Sequence, residues 1–159
     1  MLRSKSVGCL RSLIVVVLII SNSSLVSGKD LPVLTRMLYA AFLSEQMSAI
    51  CTSAHIKLSD SDRDAFLSAK IYSEVIKQII IAGLNDTDAK SILKAAADRA
   101  RADTRSEIET LAVYPPEQIP RVTIRWCENK VKPFVSQIVG AYARHPDVIE
   151  KLINKAKAD

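Results

Sequence analysis

Glycine, aromatic residues and long apolar runs are all scarce in this chain of 159 residues. It has four glycines, one tryptophan and 5% aromatic residues. No segment alternates apolar and polar residues for long, so the pattern of a half-buried β-strand is missing. Apolar residues recur instead at spacings of three and four, which is typical of amphipathic helices. The sequence therefore predicts an all-α fold.

The chain also lacks the short motifs that accompany common active sites. It has no glycine-rich phosphate loop, no G-x-S-x-G, no H-E-x-x-H and no C-x-x-C. No catalytic residue can be assigned on this basis and no cofactor is expected. A non-catalytic protein is favoured over an enzyme.

One longer apolar run stands near the N-terminus, at residues 13–20. It follows the basic Arg3, Lys5 and Arg11 and precedes a polar, small-residue segment at residues 21–28. The run is too short for a transmembrane helix, which needs about 20 residues. This order of segments is typical of a secretory signal peptide. An uncleaved membrane anchor is the alternative.

We predict cleavage of this signal peptide after Gly28, because Val26 and Gly28 are small enough for the cleavage site. Removing 28 of 159 residues leaves 131, which is enough for one domain with its own core. Residues 29–159 are therefore expected to form a single all-helical domain in the periplasm or outside the cell.

Cleavage changes the charge of the protein. The whole chain carries a formal charge of +5, and three of its basic residues lie in the segment removed, so +2 remains. The remaining chain has no run of lysine and arginine. We therefore expect no nucleic-acid partner, and membrane contact only during export.

Cleavage also removes Cys9 and leaves Cys51 and Cys127. An even pair of cysteines in an oxidising compartment predicts one disulfide. The alternative is a metal site formed by Cys51, His55 and Cys127, with His145 as a fourth ligand, or a Cys–His nucleophile.

The first helix is predicted at about Leu31–Ser53, because Asp30 can cap it and Pro32 suits a first turn. Its apolar residues lie on two nearly opposite sides. A helix of this kind is usually buried between neighbours. We expect it to be the central helix of the domain.

Two further helices begin with acidic, capped turns. One runs from Ser59 to about Ala82 and ends at Gly83, which is predicted in the left-handed conformation. The next begins at Asn85 and runs to about Leu111.

Prolines divide the rest of the chain. The segment at residues 114–120 is predicted as an extended connection. A fourth helix carries an apolar stripe from Ile124 to Tyr142 and is expected to kink at Pro133. A last helix follows Pro146. The prediction is about five helices around the N-terminal one, joined by one disulfide.

Two features indicate contact with a partner. Trp126 is predicted to face outward between Arg125 and Lys130, and aromatic residues with arginine are frequent in interface hot spots. Ile81 falls on the polar side of the second helix. The alternatives are that the segment at residues 114–116 covers Trp126 and that another part of the chain covers Ile81.

Two carboxylates fall among apolar residues. Glu45 is expected to emerge where its stripe reaches the surface. Glu107 needs a partner, for which Arg121 or Arg125 is available, or a raised pKa. The two carboxylates are also the candidates for an acid/base pair.

The hypothesis that follows is an exported, non-catalytic helical binding protein whose partner is another protein. Inhibitors, immunity factors, chaperones and envelope components belong to this class. The alternatives are a small exported enzyme or metal protein using Glu45, Glu107 or His55, and a protein of the membrane surface.

The signal-peptide hypothesis predicts the N-terminus of the exported protein. Intact mass measurement and N-terminal sequencing of the protein recovered outside the cytoplasm should give a chain that begins at Lys29. Recovery of the chain only in membranes, with residues 13–20 retained, would show that the segment is an anchor.

Overall fold

The computed structural model describes residues 31–53 and 58–158. The predicted signal peptide and His55 lie outside these ranges. The described residues form helices and short connections and contain no strand, so the all-α prediction is confirmed. None of the described helices is both long enough and apolar enough to cross a membrane.

Six α-helices and one π-helical turn follow one another in the described part of the chain. They are α1 (Leu31–Ser53), α2 (Asp60–Gly83), α3 (Asp86–Ala112), α4 (Ile119–Trp126), the π-helical turn (Cys127–Val131), α5 (Lys132–Arg144) and α6 (Val148–Ala158). Because α4, the π-helical turn and α5 are continuous in sequence, they correspond to the predicted fourth helix.

The starts of α2 and α3 are set by local hydrogen bonds. The Ser59 side chain accepts from the Asp62 backbone N–H, and the Asn85 side chain accepts from that of Asp88. Each cap satisfies a backbone donor that has no partner inside its helix. Both caps are where the sequence places them.

Helix α1 packs against α2, α3, α5, α6 and the π-helical turn, which confirms its central position. Leu34 and Leu38 lie in one apolar cluster, with residues of α2, α3 and α6. Leu43 and Met47 lie in a second cluster, with residues of α2, α3, α5 and the π-helical turn. The two apolar sides of α1 thus serve two parts of the core.

The predicted disulfide is present. Cys51 and Cys127 are joined by an S–S bond of 2.08 Å, and both residues are buried. The bond connects the C-terminal part of α1 to the π-helical turn, 76 residues later in the chain. In the chain-entropy model a closed loop of this length contributes about 4 kcal/mol to stability.

The irregularity of the fourth helix differs from the predicted proline kink. The Lys132 backbone N–H donates to the Cys127 carbonyl, five residues earlier, so the helix widens into a π-helical turn. Pro133 then lies in the first turn of α5, where a missing N–H is best tolerated.

The prediction that Gly83 adopts the left-handed conformation is wrong. Gly83 lies within α2 and does not adopt the left-handed conformation; the helix is capped by Leu84, whose φ is −113°. Instead, Ile153 of α6 packs directly on Gly83. A Cβ atom at this position would lie 2.8 Å from both Cδ1 and Cγ2 of Ile153. Close approach of α6 therefore explains the glycine.

Gly83→Ala should destabilise the protein through this contact. Overpacking costs about 1–3 kcal/mol, whereas replacing a helical glycine by alanine gains up to about 1 kcal/mol. In an Ile153→Ala background the steric conflict is absent, so the same substitution should be neutral or stabilising. Urea unfolding of the four proteins in this cycle measures the coupling; purely additive effects would contradict the close approach.

Candidate functional site

A row of large apolar side chains lies on the solvent side of α2. Leu67, Ile71 and Val75 are 57%, 53% and 39% exposed, respectively. They are spaced four residues apart, so they occupy three successive turns of one helix face. The opposite side of α2 carries the buried Ile76 and Ile80. We refer to Leu67, Ile71 and Val75 as the α2 row.

Ile81 lies beside the α2 row on the same outer half of the helix. It is 45% exposed, so no described segment covers it fully. Sequence reasoning singled out Ile81 and missed Leu67 and Ile71. The repeat of large apolar residues every four positions was the available signal, but it could not be distinguished from a core stripe before the packing was known.

A shallow open groove lies between the end of α2 and α6. Its volume is about 270 Å³, and it is lined by Ile79, Ala82, Gly83, Glu150, Ile153 and Asn154. Ile79 and Gly83 continue the four-residue spacing of the α2 row. Because each step of four residues turns about 40° around the helix, the row leads around α2 to the groove.

Trp126 is held by a carboxylate of α3. Its indole Nε1–H donates to Glu107 Oε2 at 3.0 Å, and Lys130 Nζ donates to Oε1 of the same carboxylate at 2.5 Å. The Trp126 side chain is partly buried and packs against the cluster that contains Cys127. Arg125 is exposed and forms no ion pair with any described residue.

The environment of Glu107 lowers its pKa. Burial raises the pKa of this carboxyl, but the bonds from Lys130 and Trp126 outweigh burial and hold it below its ordinary value. The prediction that Arg121 or Arg125 pairs with Glu107 is wrong. Lys130, which lies in the π-helical turn, takes that place.

Glu45 is a link between α1 and α2. The buried Ser73 hydroxyl donates to Glu45 Oε2 at 2.5 Å. Glu45 is half-buried, as expected for a carboxylate near the edge of the core. It does not share a hydrogen bond with Glu107, whose described partners are on other helices. The geometry thus gives each carboxylate a structural partner.

Sequence reasoning missed a polar cluster between α1 and α3. The Tyr39 hydroxyl donates to Asp103 Oδ2 at 2.6 Å, and the Arg99 guanidinium lies 4.5 Å from the centre of the Tyr39 ring. Burial and the neighbouring Asp103 raise the pKa of Tyr39 to about 12. The phenol therefore remains protonated at neutral pH and acts as a hydrogen-bond donor.

The thiol-based alternatives do not fit the oxidised protein. Cys51 and Cys127 are consumed by the disulfide, so neither is free as a metal ligand or a nucleophile. His55 lies outside the described ranges. Within those ranges, no three His, Cys, Asp or Glu residues are grouped as a metal site.

Comparison with protein-family models, with curated proteins and with solved structures gives no match.

The contacts of Glu107 with Trp126 and Lys130 predict that the protein loses stability in acid. Its folded-state pKa is lowered, so its contribution is present above the unfolded-state pKa of about 4.3 and is lost as pH falls through the lower folded value. The free energy of unfolding of wild type should therefore exceed that of Glu107→Gln by its full amount near pH 6. The two free energies should converge below pH 4. Trp126 fluorescence follows the unfolding of both proteins. A difference in the free energy of unfolding that stays constant as the pH falls would contradict the prediction.

Proposed function

We propose that this chain is an exported, non-catalytic helical protein that binds another protein through the outer face of α2. The α2 row is the observation that carries the proposal. The signal-peptide pattern at residues 1–28 and the buried disulfide support the exported part of the proposal.

The α2 row is costly to leave in water. A surface helix usually presents polar side chains opposite its buried face, whereas α2 presents Leu67, Ile71 and Val75 there. Exposed apolar patches of this kind mark interaction sites. Covering the exposed parts of these three side chains would contribute roughly 3 kcal/mol, since full burial of one such side chain is worth about 1.5–3 kcal/mol.

The shape of the face favours a helical segment of the partner. An amphipathic helix can lie along a row of side chains spaced four residues apart. At one end of such a helix, an apolar side chain can enter the groove between α2 and α6. Glu150 and Asn154 in the groove would bind a donor group, such as an amine or amide, beside that side chain.

Trp126, Arg125 and Lys130 remain a secondary candidate contact. Arg125 and Lys130 are exposed and Trp126 is partly exposed. However, the polar groups of Trp126 and Lys130 already bond to Glu107. A partner would gain less there than on the α2 row, whose large apolar side chains are more exposed.

The enzyme alternative has less support. Glu45 and Glu107 bond to groups that join helices, and the raised pKa of Tyr39 makes its phenol a poor base at neutral pH. These contacts are what a structural role requires, so they favour binding over chemistry.

Site-specific cross-linking in the native host tests the proposal. A photoreactive residue at position 78, which is exposed on the same face, should form an adduct with a different host protein. Ile71→Asp should remove that adduct because it places a charge in the centre of the row.

Val113→Asp is the matched control, because Val113 is 77% exposed and lies beyond α3. It should leave the adduct intact. Absence of an adduct with a host protein, or equal loss in both variants, would exclude the α2 row as the binding surface. Parallel probes at position 125 test the Trp126 surface.

A further inference from the structure

The apolar residues of the α2 row have the same spacing when the helix is followed in either direction. Leu67 and Val75 lie at equal distances on either side of Ile71, and the three residues cover about 12 Å of helix. If two copies of α2 pack antiparallel about a two-fold axis beside Ile71, each Ile71 faces the other, and Leu67 of one copy faces Val75 of the other. Such a surface is self-complementary.

The charges beside the row match the same arrangement. Lys70 and Glu74 lie on one flank of the row, four residues apart. In an antiparallel pair related by a two-fold axis, each flank faces the same flank of the second copy in reversed order. Lys70 of each copy then lies next to Glu74 of the other, which gives two opposite-charge pairs.

Both side chains are available for these pairs. Lys70 is exposed and makes no ion pair with any residue in the described ranges. Glu74 is exposed, and its carboxylate accepts from Gln78 at 2.6 Å and from Lys77 at 3.0 Å. These bonds within α2 hold the carboxylate on the surface, where a further donor can reach it.

We propose that in the free protein the α2 row is covered by the α2 row of a second copy, packed antiparallel. This inference rests on the proposed function in one respect, that the α2 row is a protein-binding surface. Its contact is small for a stable dimer, so the dimer is weak and gives way to a tighter partner.

Sedimentation velocity of the purified exported protein at about 1–200 μM tests self-association. Wild type should pass from monomer to dimer within this range. Ile71→Asp should weaken the dimer at least 100-fold, because the substitution occurs twice at the axis. Val113→Asp should sediment like wild type. A wild-type protein that stays monomeric, or a dimer unaffected by Ile71→Asp, would overturn the inference.

Charge reversal tests the antiparallel arrangement. Lys70→Glu and Glu74→Lys should each weaken the dimer about 10-fold by placing like charges together. The double variant should return to within threefold of wild type, because both pairs are then reversed. Circular dichroism checks that the variants remain helical. Failure of the double variant to recover would exclude this pairing even if a dimer forms.

The two proposals fail in different ways. A monomeric wild type overturns self-association, whereas the cross-linking of a different host protein at position 78 is unaffected. Conversely, if the protein dimerises and position 78 cross-links only to a second copy, self-association is supported and the proposed binding of another protein is excluded. The masses of the adducts distinguish these results.

Discussion

A helix that is apolar on two sides has to be covered on both, and this requirement on α1 orders the rest of the structure. Leu34 and Leu38 are covered in one cluster, while Met47 and Cys51 are covered in the other. The disulfide from Cys51 fixes the end of α1 to the π-helical turn. Because α2 contributes its inner face to both clusters, its outer face is not needed for the core.

Apart from the Thr104 hydroxyl, which has no hydrogen-bond partner, the buried polar side chains in the described ranges are satisfied by contacts that hold helices together or stay within one helix. The buried Ser44 and Ser48 hydroxyls donate to carbonyls of α1 itself, at 2.8 and 2.7 Å. Glu45 accepts from Ser73, and Tyr39 donates to Asp103, so each joins α1 to a neighbour. Groups engaged in this way are poorly placed for proton transfer. The α2 row remains exposed outside these contacts.

Local signals in the sequence predicted local features. The two-sided pattern gave the central position of α1, and Ser59 gave the start of α2, because both depend on residues close in sequence. The cysteine count predicted the disulfide. The reason for Gly83 depends on Ile153, and the partner of Glu107 depends on Lys130; both pairs form only when distant helices pack. The α2 row was missed for the same reason, since only packing decides which face of a helix is inside.

The burial of the α2 row changes along the helix in a way that connects the surface to the core. A spacing of four residues advances about 40° beyond a full turn, so each member points further toward α6 than the one before. Exposure accordingly falls from Leu67 to Val75, and the next position, Ile79, lines the groove. At the end of the line, Gly83 lets Ile153 approach α2 closely. A protein bound along the row would thus contact side chains that also position α6.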